Sequence, residues 1–223
     1  MDTETMSLVL SNRSFLWNLV ARGFAEEPEQ AFLGIVLSEH AKQEVALLDD
    51  GFADEMLAAL DGMASFASGE NALPQLRDEY VRFFVGPEEL AVAPWESVAR
   101  SGSKALFSCG VLQVREAYRE AGFLPASYPH VADDFIGIEC DFMAKLALLM
   151  CSDAQAAEWE LLQRRISQSL EFAENHLGVW LPMLASSMHE AYGSCFYTLL
   201  CDFASGAVRR DSAVLRSLRE TLR

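Results

Sequence analysis

The chain has 223 residues, 51% of them hydrophobic, enough for one domain with a substantial core and too many for a disordered chain. A formal net charge of −16 excludes nucleic acid and anionic membrane surfaces as natural partners, because neutralising phosphates requires the opposite balance; a cationic partner is left open. The amino terminus, Met1-Asp2-Thr3-Glu4-Thr5, is acidic where a signal peptide is basic, and no apolar run reaches the roughly 18 residues of a membrane span, so a cytoplasmic protein is expected.

In chain order the apolar spacing is helical almost throughout. Phe15, Leu16, Leu19, Val20 and Phe24 give a first amphipathic helix, and Pro28 opens a second that runs through Phe32, Ile35, Val36 and Glu39. Gly51 and Gly69 bracket a third. From Glu26 to Glu79 thirteen acidic residues face two basic ones, Lys42 and Arg77, which reads as a solvated helical face.

Leu76, Tyr80, Phe83 and Phe84 follow one helix face, and Gly86-Pro87 stops that helix. The following loop leads to Ala93-Pro94-Trp95-Glu96-Ser97, where an indole lies next to a carboxylate in a segment expected to be irregular. Trp95 there either plugs the core beside the helix end or carries function on the loop. Ala105 to Tyr118 reads as a further helix ending near Gly122, and residues 124–130 form the best linker and a subregion boundary within a single 1–223 domain.

The next helix is expected to begin at Asp133-Asp134, whose carboxylates suit the positive helix end and can cap its free amides. Ile136, Cys140, Met143, Ala147 and Met150 then share one arc, with Glu139 at its edge on the apolar side. A carboxylate placed there needs a partner, either an internal arginine or a ligand. Helices follow from Gln155 to about Asn175, from Val179 to about Cys201, and over the last dozen residues, where Arg209, Arg210, Arg216, Arg219 and Arg223 outweigh Asp211 and Glu220.

No catalytic pattern is legible. His40, His130, His176 and His189 lack His-Glu-x-x-His spacing, and Gly102-Ser103-Lys104 lacks the upstream glycine of a phosphate loop. Five cysteines, Cys109, Cys140, Cys151, Cys195 and Cys201, never approach Cys-x-x-Cys spacing and read as reduced and buried. The residues therefore point to no enzyme, no metal and no cofactor.

Three stretches carry a resemblance. Residues 79–98, with Tyr80 and Phe84-Val85-Gly86-Pro87 leading to Ala93-Pro94-Trp95-Glu96-Ser97-Val98, are similar to the signature of the TorD/DmsD family of redox-enzyme maturation chaperones. Asp133-Asp134-Phe135-Ile136-Gly137-Ile138-Glu139 resembles that family's acidic motif, and Phe172 through His176-Leu177 to Trp180-Leu181-Pro182 resembles its Phe-x-x-x-His-Leu-x-x-Trp-x-Pro element. Phe135 stands where the family has a histidine after the aspartate, Ala99 where an aromatic residue usually follows Ser-Val, and Ser101 where an aspartate follows.

The resemblance implies an all-α, single-domain cytoplasmic chaperone. It would bind the twin-arginine signal peptide and the apo form of a molybdopterin oxidoreductase catalytic subunit, and delay export until cofactor insertion. A homodimer is left open. A twin-arginine peptide offers two guanidinium forks and an apolar stretch, so its receptor needs carboxylates beside an aromatic groove. Asp134 and Glu96 are candidates for the first role, with Glu139 nearby; Phe84, Pro94, Trp95 and Phe135 are candidates for the second. Two alternatives stand beside this reading: a helical enzyme with an unrecognised metal or nucleotide site, and a chaperone for the mature body of the reductase.

Overall fold

A computed structural model describes residues 2–48, 51–86, 90–102, 109–126, 128 and 130–222, of which the side chain of Cys109 is excepted. Among these the backbone forms eleven α-helices, two short π-helical turns and no strand, the all-α class read from the periodicity. The helices are α1 (Thr3–Ala25), α2 (Gln30–Val36), α3 (Glu39–Ala46), α4 (Ala53–Ala67), α5 (Ala72–Tyr80), α6 (Glu96–Ser101), α7 (Cys109–Ala121), α8 (Ile136–Gln155), α9 (Trp159–Phe172), α10 (Gly178–Tyr192) and α11 (Phe196–Thr221).

Local chemistry sets these boundaries. Asp2 caps α1 by accepting the Thr5 amide at 2.8 Å, which satisfies one of the four free amides at a helix start. The second predicted helix is in fact two, because Ser38 turns its hydroxyl to the Ala41 amide and starts α3 anew. Gly86 ends the π turn Val81–Val85 with φ at 65°, a conformation that costs a side-chain-bearing residue strain. Pro87, paired with it in the sequence reading, lies outside the described residues, as do Ser127 and Pro129 of the expected linker and residues 105–108 of the expected helix before Tyr118.

The helix expected to run from Val179 to Cys201 also breaks. Gly193 adopts φ 69° at the end of α10, and α11 then runs unbroken for 26 residues from Phe196, across the gap expected between Cys201 and the last dozen residues. The segment around Trp95, expected to be irregular, is short helix from Glu96 onward.

Helix α8 is the axis of the packing. Ile136, Cys140, Met143, Ala147 and Met150 are all buried, as their shared arc predicts, but so are Ile138, Phe142, Ala144 and Leu146, so α8 is covered on most of its circumference. Helix α1 lies along it through the stripe Leu16, Trp17, Val20 and Phe24, and α9 packs against another side. The approach at one end is close. A Cβ on Gly137 would sit 2.8 Å from the Ala25 Cα and 2.9 Å from the Phe24 carbonyl oxygen, so only glycine allows α8 to start where α1 ends. A smaller apolar cluster of Met6, Leu10, Met150, Ile166, Leu170 and Leu215 closes the opposite end of α1.

One ion pair is fully internal. Arg13 of α1 reaches Asp211 of α11 through both Nε (2.5 Å) and Nη2 (3.1 Å), with side chains 3% and 4% exposed. Cys140, Cys195 and Cys201 are buried thiols and Cys151 is half-buried. No helix among the described residues is long and apolar enough to cross a membrane.

Candidate functional site

The three motif stretches, spread over about half of the sequence, meet in space. Trp95 and Phe135 form an isolated antiparallel bridge, in which the Glu96 amide donates to the Asp134 carbonyl and the Ile136 amide to the Pro94 carbonyl, each at 3.0 Å. That pairing docks the start of α6 against the start of α8. Asp134 then turns its Oδ2 onto the Ser97 amide at 2.8 Å. Its carboxylate was expected to cap its own helix; it caps α6 instead, because α8 begins only at Ile136 and the neighbouring helix start is nearer.

Below this junction lies a buried polar network. Glu96 is inaccessible and both its oxygens are engaged: Oε1 accepts from Arg100 Nη1 at 2.5 Å, and Oε2 lies 2.8 Å from His176 Nδ1. Glu139, equally inaccessible, accepts the Trp180 indole N–H at 2.9 Å on Oε2, while Oε1 has no partner among the described residues. Thus the internal partner of Glu139 is a buried tryptophan and not an arginine. Asp133 pairs with Arg115 at 2.6 Å, and its carbonyl accepts the Tyr118 hydroxyl at 2.9 Å.

The electrostatics follow from burial. Removal from water, then the nearby charge of Glu96, pushes the Glu139 carboxyl well above the ordinary glutamate range. Asp134 is raised by the same desolvation, against which its bond from Ser97 works. Burial first, and Glu139 second, push the Tyr118 hydroxyl up as well.

The seven sequence candidates fall into two groups. Phe84, Pro94, Glu96, Asp134, Phe135 and Glu139 are buried; Trp95 alone is part-exposed. Phe135 links the groups, its ring 6.1 Å from Trp95 and 6.4 Å from Phe84. Glu96, Asp134 and Glu139, the carboxylates proposed to meet a guanidinium fork, are all buried, and an arginine, a backbone amide and an indole respectively engage them.

What the network reaches instead is a cleft of about 510 Å³ between α7 and α9, into which Arg100 and His176 emerge. Phe142 and Phe172 form its floor, with His176 stacked on Phe172 at 4.6 Å and 24°. Glu116 and Glu120 of α7 and Glu171 of α9 rim it. Sequence reasoning passed over these acids. Their signal was the four-residue spacing of Glu116 and Glu120 on an amphipathic helix. Seeing Glu171 opposite them required knowing that α7 and α9 are neighbours.

With this geometry in hand, comparison with known proteins places the chain. Residues 49–186, more than half of the sequence and including all three motifs up to Pro182, match the family described as nitrate reductase delta subunit. The protein belongs to that family, the TorD/DmsD type of redox-enzyme maturation chaperone. It is also similar to a solved structure from Archaeoglobus fulgidus, described as a candidate redox enzyme maturation protein, with 18% sequence identity and a TM-score of 0.46 over 94% of this chain and 93% of that one. No curated protein matches the sequence significantly.

Proposed function

We propose that this maturation chaperone binds the twin-arginine signal peptide of a molybdopterin-dependent oxidoreductase in the cytoplasm and holds the precursor back from export until its cofactor is inserted. Family membership supports the class of task, and the observation that carries the peptide reading is the acid-rimmed, aromatic-floored cleft fed by the motif network. An overall charge of −16 suits a cationic ligand. In this reading the buried carboxylates act as scaffold: Glu96 holds Arg100 and His176 at the cleft wall, Asp134 fixes α6, and Glu139 ties α8 to α10. Trp95, the part-exposed member of the motif, supplies an apolar contact outside the cleft.

The test is calorimetry with a peptide of two adjacent arginines followed by an apolar run, together with the same peptide carrying lysines. Binding is expected, and it should weaken on replacement by lysine, because an ammonium lacks the planar fork of a guanidinium. Absence of binding, or copurification from the host of only mature reductase lacking its leader, would overturn the reading.

A further inference from the structure

The cleft between α7 and α9 is walled by two matching ladders. On α7, Gln113, Glu116 and Glu120 follow one another at i, i+3 and i+7; on α9 and the π turn Ala173–Leu177 that continues it, Gln168, Glu171 and Asn175 repeat the spacing, so each trio lies along one helix face. Among the described residues only Glu116 of these side chains has a partner, Arg119 at 3.0 Å. Three primary amides and two carboxylates are thus uncommitted. The cleft's arginine, Arg100, is already bound to Glu96 at 2.5 Å and to the Asn175 backbone carbonyl at 3.1 Å.

The floor leaves selection to these walls. Phe142 and Phe172 line the cleft but are each only 1% exposed, so little apolar area is offered to a bulky ligand side chain. A primary amide is both donor and acceptor, whereas a carboxylate only accepts. A bare cation would leave the amide donors idle, and an anion would meet Glu120 and Glu171. Peptide main chain carries one donor and one acceptor per residue and suits both ladders. Length agrees as well: seven helical residues span about 10 Å, the reach of about three extended residues. An all-helical receptor has a further reason to use side chains, because no strand among the described residues offers an edge to which an extended peptide could be added.

Resting on the proposed peptide reading, we infer that this cleft recognises the main chain of an extended segment of the client peptide: Gln113, Gln168 and Asn175 bond its N–H and C=O groups, and Glu120 and Glu171 accept from its N–H groups. Contacts of that kind are blind to side-chain identity. They hold a segment by its backbone and leave the recognition of particular residues to other surfaces.

Two probes separate this inference from the reading beneath it. Acetyl-Ser-Ala-Ser-Ala-Ser-amide, which has neither an arginine nor a bulky apolar side chain, is titrated at millimolar concentration into isotope-labelled protein, and the side-chain NH2 resonances of Gln113, Gln168 and Asn175 are followed by NMR. Saturable shifts of these resonances are expected. Replacing the central peptide amides by esters removes N–H donors and keeps the side chains, and should weaken binding several-fold. Gln168→Leu and Asn175→Leu should each weaken it by a similar factor, while Gln155→Leu, at the far end of α8, leaves it unchanged. Unshifted side-chain amides, or equal binding of the ester and amide peptides, would overturn the inference. If the short peptide occupies the cleft but a leader-type peptide with paired arginines and an apolar run binds nowhere, the main-chain site stands and the signal-peptide reading falls. If the leader-type peptide binds without shifting these amides, the reverse holds.

Discussion

Asp134 caps a helix to which it does not belong: its Oδ2 receives the amide of Ser97, in α6, across a separation of 37 residues in sequence. The bond fastens the Trp95 stretch to the root of α8, and with the two backbone bonds of the Trp95–Phe135 bridge it makes the motif junction a fixed joint rather than a loop.

Removing that cap should loosen α6 selectively. Asp134→Ala is expected to lower stability by about 0.5–2 kcal/mol, the range for lost helix caps, and to speed amide exchange over residues 96–101. Asp134→Asn keeps a carbonyl acceptor for the Ser97 amide and should lose less. Equal losses in the two variants, read by urea denaturation, would mean that charge and not capping is what Asp134 provides.

Glu139 sets a pH dependence. Its folded pKa is raised above the ordinary 4.5, so the folded chain keeps a proton that the unfolded chain releases, and stability falls as pH rises from 4.5 through the raised folded value. Asp134, Asp141 and Glu79, all raised by burial, act in the same direction. Glu139→Gln mimics the protonated form, can still accept from Trp180, and should flatten part of this slope while being at least as stable as wild type at neutral pH. A variant with the wild-type slope would show that Glu139 is ionised in the folded protein.

Trp95 and Trp180 should separate cleanly on truncation. Trp180 is fully buried, so Trp180→Ala is expected to cost about 3–5 kcal/mol in cavity formation, with more from stranding Glu139 Oε2. Trp95 is only half-buried, and Trp95→Ala should cost less stability than that. If the peptide's apolar run rides on the Trp95 indole, the same variant loses about 2 kcal/mol of binding. Thermal melts and calorimetry on both variants check this; wild-type peptide affinity in Trp95→Ala would remove the indole from the binding surface.

The internal pair Arg13–Asp211 predicts non-additivity. Arg13→Met alone leaves Asp211 charged and buried and should cost about 3–5 kcal/mol, whereas Arg13→Met combined with Asp211→Leu should recover much of the loss. A double variant as unstable as the sum of the two singles would show that no coupling exists.

How much of this was legible beforehand depends on range. The faces of α1 and α8 were readable because helical periodicity is local, and Glu139 was correctly placed on the apolar side by angle alone. The break at Ser38 was readable in principle, since serine is a strong cap, but the apolar spacing continued across it and concealed it. Gly193 was passed over for the same reason. The roles of Glu96 and Asp134 could not be read, because a carboxylate beside a tryptophan looks the same in sequence whether it faces solvent or a histidine 80 residues away. Motif spacing marked these residues as special and said nothing about which side of the protein surface they lie on. Glu120 and Glu171 fall in the opposite class: they are ordinary surface acids until α7 and α9 are set side by side.

Helix α1 has a consequence for how the protein is made. Its buried stripe of Leu16, Trp17, Val20 and Phe24 leaves the ribosome well before α8 and α11, on which it packs. Arg13 waits for a partner 198 residues downstream. At roughly 5–20 residues per second that interval is about 10–40 s, during which an apolar amino-terminal helix has no lasting cover. A protein of the maturation-chaperone class thus begins life as an incomplete chain with an unprotected apolar surface, and its native core can close only when α11 arrives.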